Sequence, residues 1–321
     1  MRVLLADQPS DPMNVPFGDR HELTRCNAFD LEALGQAIRD VDAIVLRGTP
    51  LPKSVIDRGA RLRFVQKTGA GFDKMDLSAA TAKGVPISTT PGSNAISVAE
   101  HVFFLMLTVA RGADYQRGRL QRGEWRDYAH AIETFELFEQ TVGIISLGAI
   151  GQEVARRARG FGMRILASSR TPRPEVEREL GVERVALDEL FRQSDFVVPC
   201  CPLTNETRGL IGGSAIEQMK RTAFVINIAR GPVVDTGALV EALRSGRIAG
   251  AGVDVFDVEP APASEPLLNV PNLVATPHIA GITAAAQRRT WRYVSDNLDR
   301  VERGEQPQWI VNPEVFDPVR V

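Results

Sequence analysis

Three side chains stand at the ends of apolar runs, where a buried strand would deliver them, and their types make a set. Arg230 closes Ile226-Asn-Ile-Ala-Arg230-Gly231 just before a turn. A guanidinium there can grip a carboxylate through two parallel hydrogen bonds and polarise a neighbouring carbonyl. Glu259 ends Gly252-Val-Asp254-Val-Phe-Asp-Val-Glu259-Pro260, and His278 lies in Ala275-Thr-Pro-His278-Ile-Ala-Gly281. Imidazole suits proton transfer near neutral pH, and a carboxylate beside it stabilises its charged form. A general acid beside an anion-binding guanidinium matches what a 2-keto acid presents. Taken singly, Arg230 reads more plainly as a surface salt bridge and His278 as a satisfied structural residue. The other histidines, His21, His101 and His130, lack such a setting and keep that plainer reading.

A second constellation points to a dinucleotide. Thr141-Val-Gly-Ile-Ile-Ser-Leu-Gly148-Ala149-Ile150-Gly151 reads as a strand, a glycine-rich turn and the start of a helix. Gly148 would let the backbone approach a pyrophosphate, Gly151 would let helix and strand pack closely, and the helix N-terminus would offer its free N–H groups. The first glycine of this fingerprint is replaced by Ser146, which in an ordinary β conformation can end a strand without strain. A ribose-binding carboxylate belongs at the end of the following strand. Here that position reads Ala167-Ser168-Ser169-Arg170-Thr171-Pro172, without a carboxylate, so a phosphate-binding nest and NADP rather than NAD are expected. The alternative is that Arg170 is a solvated turn residue and backbone alone holds the ribose.

These residues need two α/β layers to position them. Apolar runs alternate with helical patterns along most of the chain, the signature of βα units feeding parallel sheets. One series of strands is expected at Arg2 to Ala6, Ala43 to Leu46, Phe64 to Thr68 and Val85 to Ser88. A second begins at Thr141 and continues at Arg164 to Ala167, Phe196 to Cys200, Ala223 to Ile228 and Gly250 to Val255. Between them Val98, Val102, Leu105 and Val109 repeat at helical spacing, predicting a helix over Ile96 to Arg111 capped by Ser97. A second long helix is expected over Ile282 to Arg303, before Gly304, Pro307 and Pro313. Arg119 to Phe138 is irregular and aromatic, and reads as a dimer arm or as a locally packed helix and loop.

Composition narrows the function class. A chain of 321 residues exceeds what one core organises, so two domains are expected. With 38 basic against 40 acidic residues and a net charge of −2, no field exists to condense on nucleic acid or anionic lipid. Cys26, Cys200 and Cys201 are odd in number and lack metal-ligand spacing, which fits a reducing cytoplasm and no metal site. The apolar stretch Val102 to Ala110 is about half a bilayer span, so a soluble protein is expected.

The motifs Gly148-Ala-Ile-Gly151, Asn227-Ile-Ala-Arg230-Gly, Asp254-Val-Phe-Asp-Val-Glu259-Pro and Thr276-Pro-His278 together resemble the D-isomer-specific 2-hydroxyacid dehydrogenases in order and spacing. The likeness extends upstream through Gly69-Ala70-Gly71-Phe-Asp73, Pro91-Gly-Ser-Asn94 and Val98-Ala-Glu100. It implies two doubly wound parallel-sheet domains. Residues 98–283 would form an NAD(P)-binding Rossmann domain inserted into a flavodoxin-like substrate domain of residues 1–97 and 284–321. It further implies that Arg230 binds the substrate carboxylate, Glu259 pairs with His278, and Asp254 contacts the nicotinamide carboxamide. Gly69, Ala70, Gly71 and Asn94 would face the substrate, and Arg47 resembles the position that meets a distal anionic group in the 3-phosphoglycerate dehydrogenase branch. Cys201, Pro202 and Thr207 would flank the adenosine and ribose, with Ile228, Ala229, Ala280 and Gly281 also lining the cofactor. Formate dehydrogenases carry glutamine where this chain has Glu259, which disfavours formate. The expected activity is NADPH-preferring reduction of glyoxylate or hydroxypyruvate by a homodimer. The alternatives are an NAD-dependent 3-phosphoglycerate dehydrogenase and a non-catalytic NAD(H)-sensing protein like the corepressors that share this fold.

Overall fold

The computed structural model describes residues 1–7, 14–125 and 132–316. His130 and the middle of the segment Arg119 to Phe138 lie outside them. The chain splits into two compact units, Met1–Asn94 with Thr283–Val321, and Ala95–Ile282.

The first unit is a 5-stranded parallel sheet. Its strands are β1 (Arg2–Asp7), β2 (Glu22–Asn27), β3 (Ala43–Leu46), β4 (Phe64–Lys67) and β5 (Ile87–Ser88), in the order β2-β1-β3-β4-β5. That is the flavodoxin-like doubly wound order. Alternate residues of each strand feed opposite cores, as a sheet buried on both faces requires. Leu4, Ile44, Leu46 and Val65 join Leu34, Val55 and Ile56 on one side. Val3, Leu5, Val45 and Phe64 pack on the other against Val294 and Leu298 of the helix Ala284–Glu302, whose start Thr283 caps by accepting from the Ala286 N–H.

The second unit is a 7-stranded parallel sheet. It comprises β6 (Thr141–Ile145), β7 (Arg164–Ser168), β8 (Val182–Arg184), β9 (Phe196–Pro199), β10 (Phe224–Asn227), β11 (Gly250–Val253) and β12 (Leu273–Ala275), in the order β12-β11-β10-β9-β6-β7-β8. The order reverses between β6 and β9, the switch point at which open α/β sheets bind ligands. Helix Ala95–Ala110 lies close across this sheet because β11 carries glycines. A Cβ on Gly250 or Gly252 would come within 2.9 Å of Val109 Cγ2 or Leu105 Cβ. Ser97, expected to cap this helix, is buried inside its first turn, because the helix begins two residues earlier at Ala95. Among the described residues no single helix is long and apolar enough to cross a membrane.

Candidate active site

Because β10, β11 and β12 are adjacent and parallel, their carboxyl ends open on one edge. Arg230 follows β10, Glu259 follows β11 and His278 follows β12, so the register collects residues far apart in sequence. His278 Nδ1 lies 2.9 Å from Glu259 Oε2, leaving Nε2 as the ring atom directed elsewhere, and the imidazole side chain is 45% exposed. Glu259 is itself fixed, its Oε1 accepting from the Phe256 N–H at 3.2 Å. Arg230 sits in a turn locked by Asn227, whose amide donates to the Arg230 carbonyl at 3.0 Å and accepts from the Ala229 N–H at 3.1 Å. The guanidinium donates to the Ala229 carbonyl at 2.8 Å. Gly231 brings this turn against the Glu259 loop, since any Cβ there would collide with the Phe256 and Asp257 backbone.

The backbone of His278 has φ 54°, the left-handed region that a residue with a Cβ seldom adopts and that costs about 1 kcal/mol or more. Asp254 enforces it. This carboxylate, 1% exposed, accepts from the Thr276 hydroxyl at 2.5 Å and from the Ile279 and Ala280 N–H groups at 2.9 Å each. Asp254 therefore anchors the turn on both sides of the histidine. Asn227 and Thr276, members of the sequence motifs that were given no role there, are the residues that complete these turns. The signal available was a polar residue at the end of an apolar strand.

The dinucleotide turn occupies the switch point. Helix Ala149–Gly160 begins at Gly148 with no side chain capping its first turn, so its N–H groups remain for an anion. A Cβ at Gly148 would meet only Ser146 Oγ at 3.9 Å, which leaves the approach open, whereas one at Gly151 would collide with the Ser146 carbonyl. This combination fits the pyrophosphate of a nicotinamide dinucleotide. Ser146 corrects the sequence expectation, for its φ is 82° rather than extended. The chain leaves β6 and must turn at once into the helix, so the serine takes the glycine conformation.

After β7, Ser169 Oγ accepts from the Leu147 N–H at 2.6 Å and ties this loop to the glycine turn. Arg170 is 91% exposed on its side chain and stands 3.9 Å from Glu206. Arg184 of β8, unnoticed in the sequence, donates to the Ser169 carbonyl at 3.0 Å and brings a second guanidinium to the loop. Ser168 is half-buried and Thr171 exposed. Beyond β9, the Thr207 hydroxyl donates to the Pro202 carbonyl at 2.7 Å, holding the turn after Cys201. Burial raises the thiol pKa of Cys200 and of Cys201, so both pack as neutral groups. Ile228, Ala229 and Ala280 are buried in the apolar core, so what they can offer a ligand is backbone, and Gly281 is half-buried.

In the first unit, Arg47 follows β3 and Gly69, Ala70 and Gly71 follow β4, again at carboxyl ends. Gly69 has φ 146°, and its carbonyl accepts from the Thr90 N–H at 3.0 Å. Asn94 is the last residue of that stretch of the unit and is half-buried.

Residues 103–280 match the model of the D-isomer specific 2-hydroxyacid dehydrogenase NAD-binding domain. The chain belongs to this family. The dehydrogenase is 42% identical to a glyoxylate reductase of Thermococcus onnurineus over 305 residues, 93% of this chain and 89% of the relative. It is 39% identical to a D-3-phosphoglycerate dehydrogenase of Methanocaldococcus jannaschii over 314 residues, 97% of this chain but 59% of that longer protein. Among solved structures, a glyoxylate reductase from Paecilomyes thermophila superposes with a TM-score of 0.85 at 32% identity, covering 98% of each chain. The dehydrogenase therefore uses a nicotinamide cofactor on small 2-hydroxy or 2-keto acids.

Proposed function

We propose that this dehydrogenase is an NADPH-preferring reductase of a small 2-keto acid of the glyoxylate or hydroxypyruvate type. The observation that carries the catalytic part is the Glu259 carboxylate on His278 Nδ1 at 2.9 Å, which commits Nε2 to proton transfer. The relatives named glyoxylate reductases support the substrate class. The loop after β7 supports the cofactor preference, because it lacks a carboxylate and carries Arg170 with Arg184 beside it. Ser168, Ser169 and Thr171 would complete a site for a 2′-phosphate.

When bound, the nicotinamide supplies the hydride to C2 of the keto acid. Arg230 holds the substrate carboxylate bidentately. In the first unit, Gly69, Ala70, Gly71, Asn94 and Arg47 are the residues proposed to face substrate. His278 Nε2 gives its proton to the carbonyl oxygen in reduction and removes it from the hydroxyl in oxidation. Glu259 keeps the ring in place and stabilises the imidazolium. Asp254 Oδ1 already takes two donors and Oδ2 one, so one lone pair on Oδ2 is left for the nicotinamide carboxamide. The turns at Gly148 to Gly151, Cys201 to Thr207, Ile228 to Ala229 and Ala280 to Gly281 cradle the remainder.

Initial rates with NADPH and NADH on glyoxylate, hydroxypyruvate and phosphohydroxypyruvate test this reading. NADPH should be preferred, and the two unphosphorylated acids should be the better substrates. Equal kcat/KM for both cofactors would remove the preference. His278→Ala should lose on the order of 10²- to 10⁴-fold in kcat, and Arg230→Ala should raise KM as well. Undiminished activity in both variants would remove the mechanism. A second reading, oxidation of a phosphorylated 2-hydroxy acid, rests on Lys67, whose ammonium lies 3.6 Å from where a Cβ on Gly69 would stand. With Arg47 it would supply two cations, and a marked preference for phosphohydroxypyruvate would favour it.

A further inference from the structure

His101 lies in the helix Ala95–Ala110, far in sequence from Asp254, Thr276 and His278, and its side chain is only 14% exposed. Its Nε2 stands 2.8 Å from Thr276 Oγ1 and 3.6 Å from Asp254 Oδ1, and its ring lies against Phe104 at 5.2 Å between centroids. Proton counting orients this chain. Ionised Asp254 can only accept, so the single Thr276 hydroxyl proton goes to Asp254 at 2.5 Å, and the Thr276 oxygen must accept from His101 Nε2–H. Burial lowers the pKa of His101 against the opposing pull of Asp254, so the ring is neutral near pH 7 in the Nε2–H tautomer. Protonation at lower pH would add a proton at Nδ1 and leave the Nε2 donor in place.

The chain His101, Thr276, Asp254 ends on the two N–H groups that follow His278. A hydrogen-bond series of this kind polarises each member and holds it more tightly than any one pair would. We propose that His101 is a positioning residue for the reaction: through the Thr276 hydroxyl it fixes Asp254, and with it the turn that aims the His278 imidazole. The proposal rests on the assignment of His278 as the proton carrier. His101 reaches the site through Thr276 and Asp254, so its effect passes through the turn that carries His278.

Steady-state kinetics with NADPH and glyoxylate, alongside NADPH affinity and thermal unfolding, test the proposal on His101→Leu, Thr276→Val, the double variant and His101→Gln. His101→Leu should lower kcat roughly ten-fold while KM for glyoxylate stays within about two-fold, the pattern of a misaimed acid rather than a lost substrate contact, and any fall in NADPH affinity reports the Asp254 carboxamide contact moving with it. His101→Gln, whose amide can donate to the same oxygen, should recover most of that loss. In the Thr276→Val background His101→Leu should add nothing, because the relay is already cut. An unchanged kcat in His101→Leu, an equal loss in both backgrounds, or a loss confined to thermal stability would overturn the proposal. Running His278→Ala in the same assay separates the two readings. If it stays active, the assignment of the proton carrier has failed; if it alone is inactive, only the positioning role has.

Discussion

Two residues with side chains hold glycine-like backbones at this site, and they answer to different demands. His278, at φ 54°, is clamped by Asp254 and Thr276, and its side chain is the proton carrier proposed above. Ser146, at φ 82°, makes no side-chain hydrogen bond among the described residues that a glycine would have to replace. Ser146→Gly should therefore stabilise the protein by about 0.5–1 kcal/mol, the relief of left-handed strain less the added freedom of the unfolded chain. Urea unfolding of the two forms reads this directly, and a lower midpoint in the glycine variant would show that the serine is favoured there. Glu259→Gln keeps a side chain of the same shape without the charge that stabilises imidazolium. It should lower kcat about 10- to 100-fold, and a rate equal to that of the parent would reduce the carboxylate to a spacer. Arg230, Glu259 and His278 were legible in the sequence because each is an uncommon type at the end of an apolar run. The backbone of Ser146 was not, since a serine ending a strand has nothing in its identity to announce φ.

Strand ends do the assembling, and the sequence shows why some strands were visible and others were not. The buried central strands β3, β4, β6, β7, β9, β10 and β11 read as apolar runs because both faces are covered. β2, Glu-Leu-Thr-Arg-Cys-Asn, is a largely exposed edge whose residues have no apolar periodicity, and it escaped notice. β8 and β12, three residues each at the opposite edges of the larger sheet, are too short to carry any. Yet the chain leaving β12 carries His278, and β8 carries Arg184, whose guanidinium holds the Ser169 carbonyl, so both short edge strands end at the candidate site. The junction most sensitive to volume is Gly231, where the Arg230 turn is pressed on the Phe256–Asp257 backbone. Gly231→Ala must push the two loops apart, because the obstructing atoms are backbone and cannot rotate away. Its kcat/KM should fall at least about ten-fold as Arg230 and Glu259 lose their mutual placement, with a lower unfolding temperature. Activity equal to the parent would mean that the loops can separate without consequence for the site.

Each compact unit also buries one histidine whose charge it opposes. His21 of the first unit has a side chain of 0% exposure, and neither ring nitrogen makes a hydrogen bond among the described residues. Burial lowers its pKa from 6.5. Glu302 and Asp299, 3.8 and 3.7 Å away, pull the other way, and the Met1 amino group and Arg20 add to the lowering. His101 of the second unit is lowered by burial against the pull of Asp254. In both cases the unfolded chain takes up its proton first as pH falls. Stability is therefore fully present above 6.5 and declines as pH drops from there through the lower folded values, with a limiting slope of about 1.4 kcal/mol per pH unit for each proton. Two domains of distinct core need not melt together, so calorimetry at a series of pH values between about 7 and about 5 is the measurement to make. The parent should lose unfolding temperature steadily over that range. His21→Gln, neutral throughout, should flatten the decline in the transition of the first unit alone and leave that of the second, where His101 still titrates. If the slope of neither transition changes in His21→Gln, the acid sensitivity lies with other groups, and the buried ring of His21 is protonated as readily folded as unfolded.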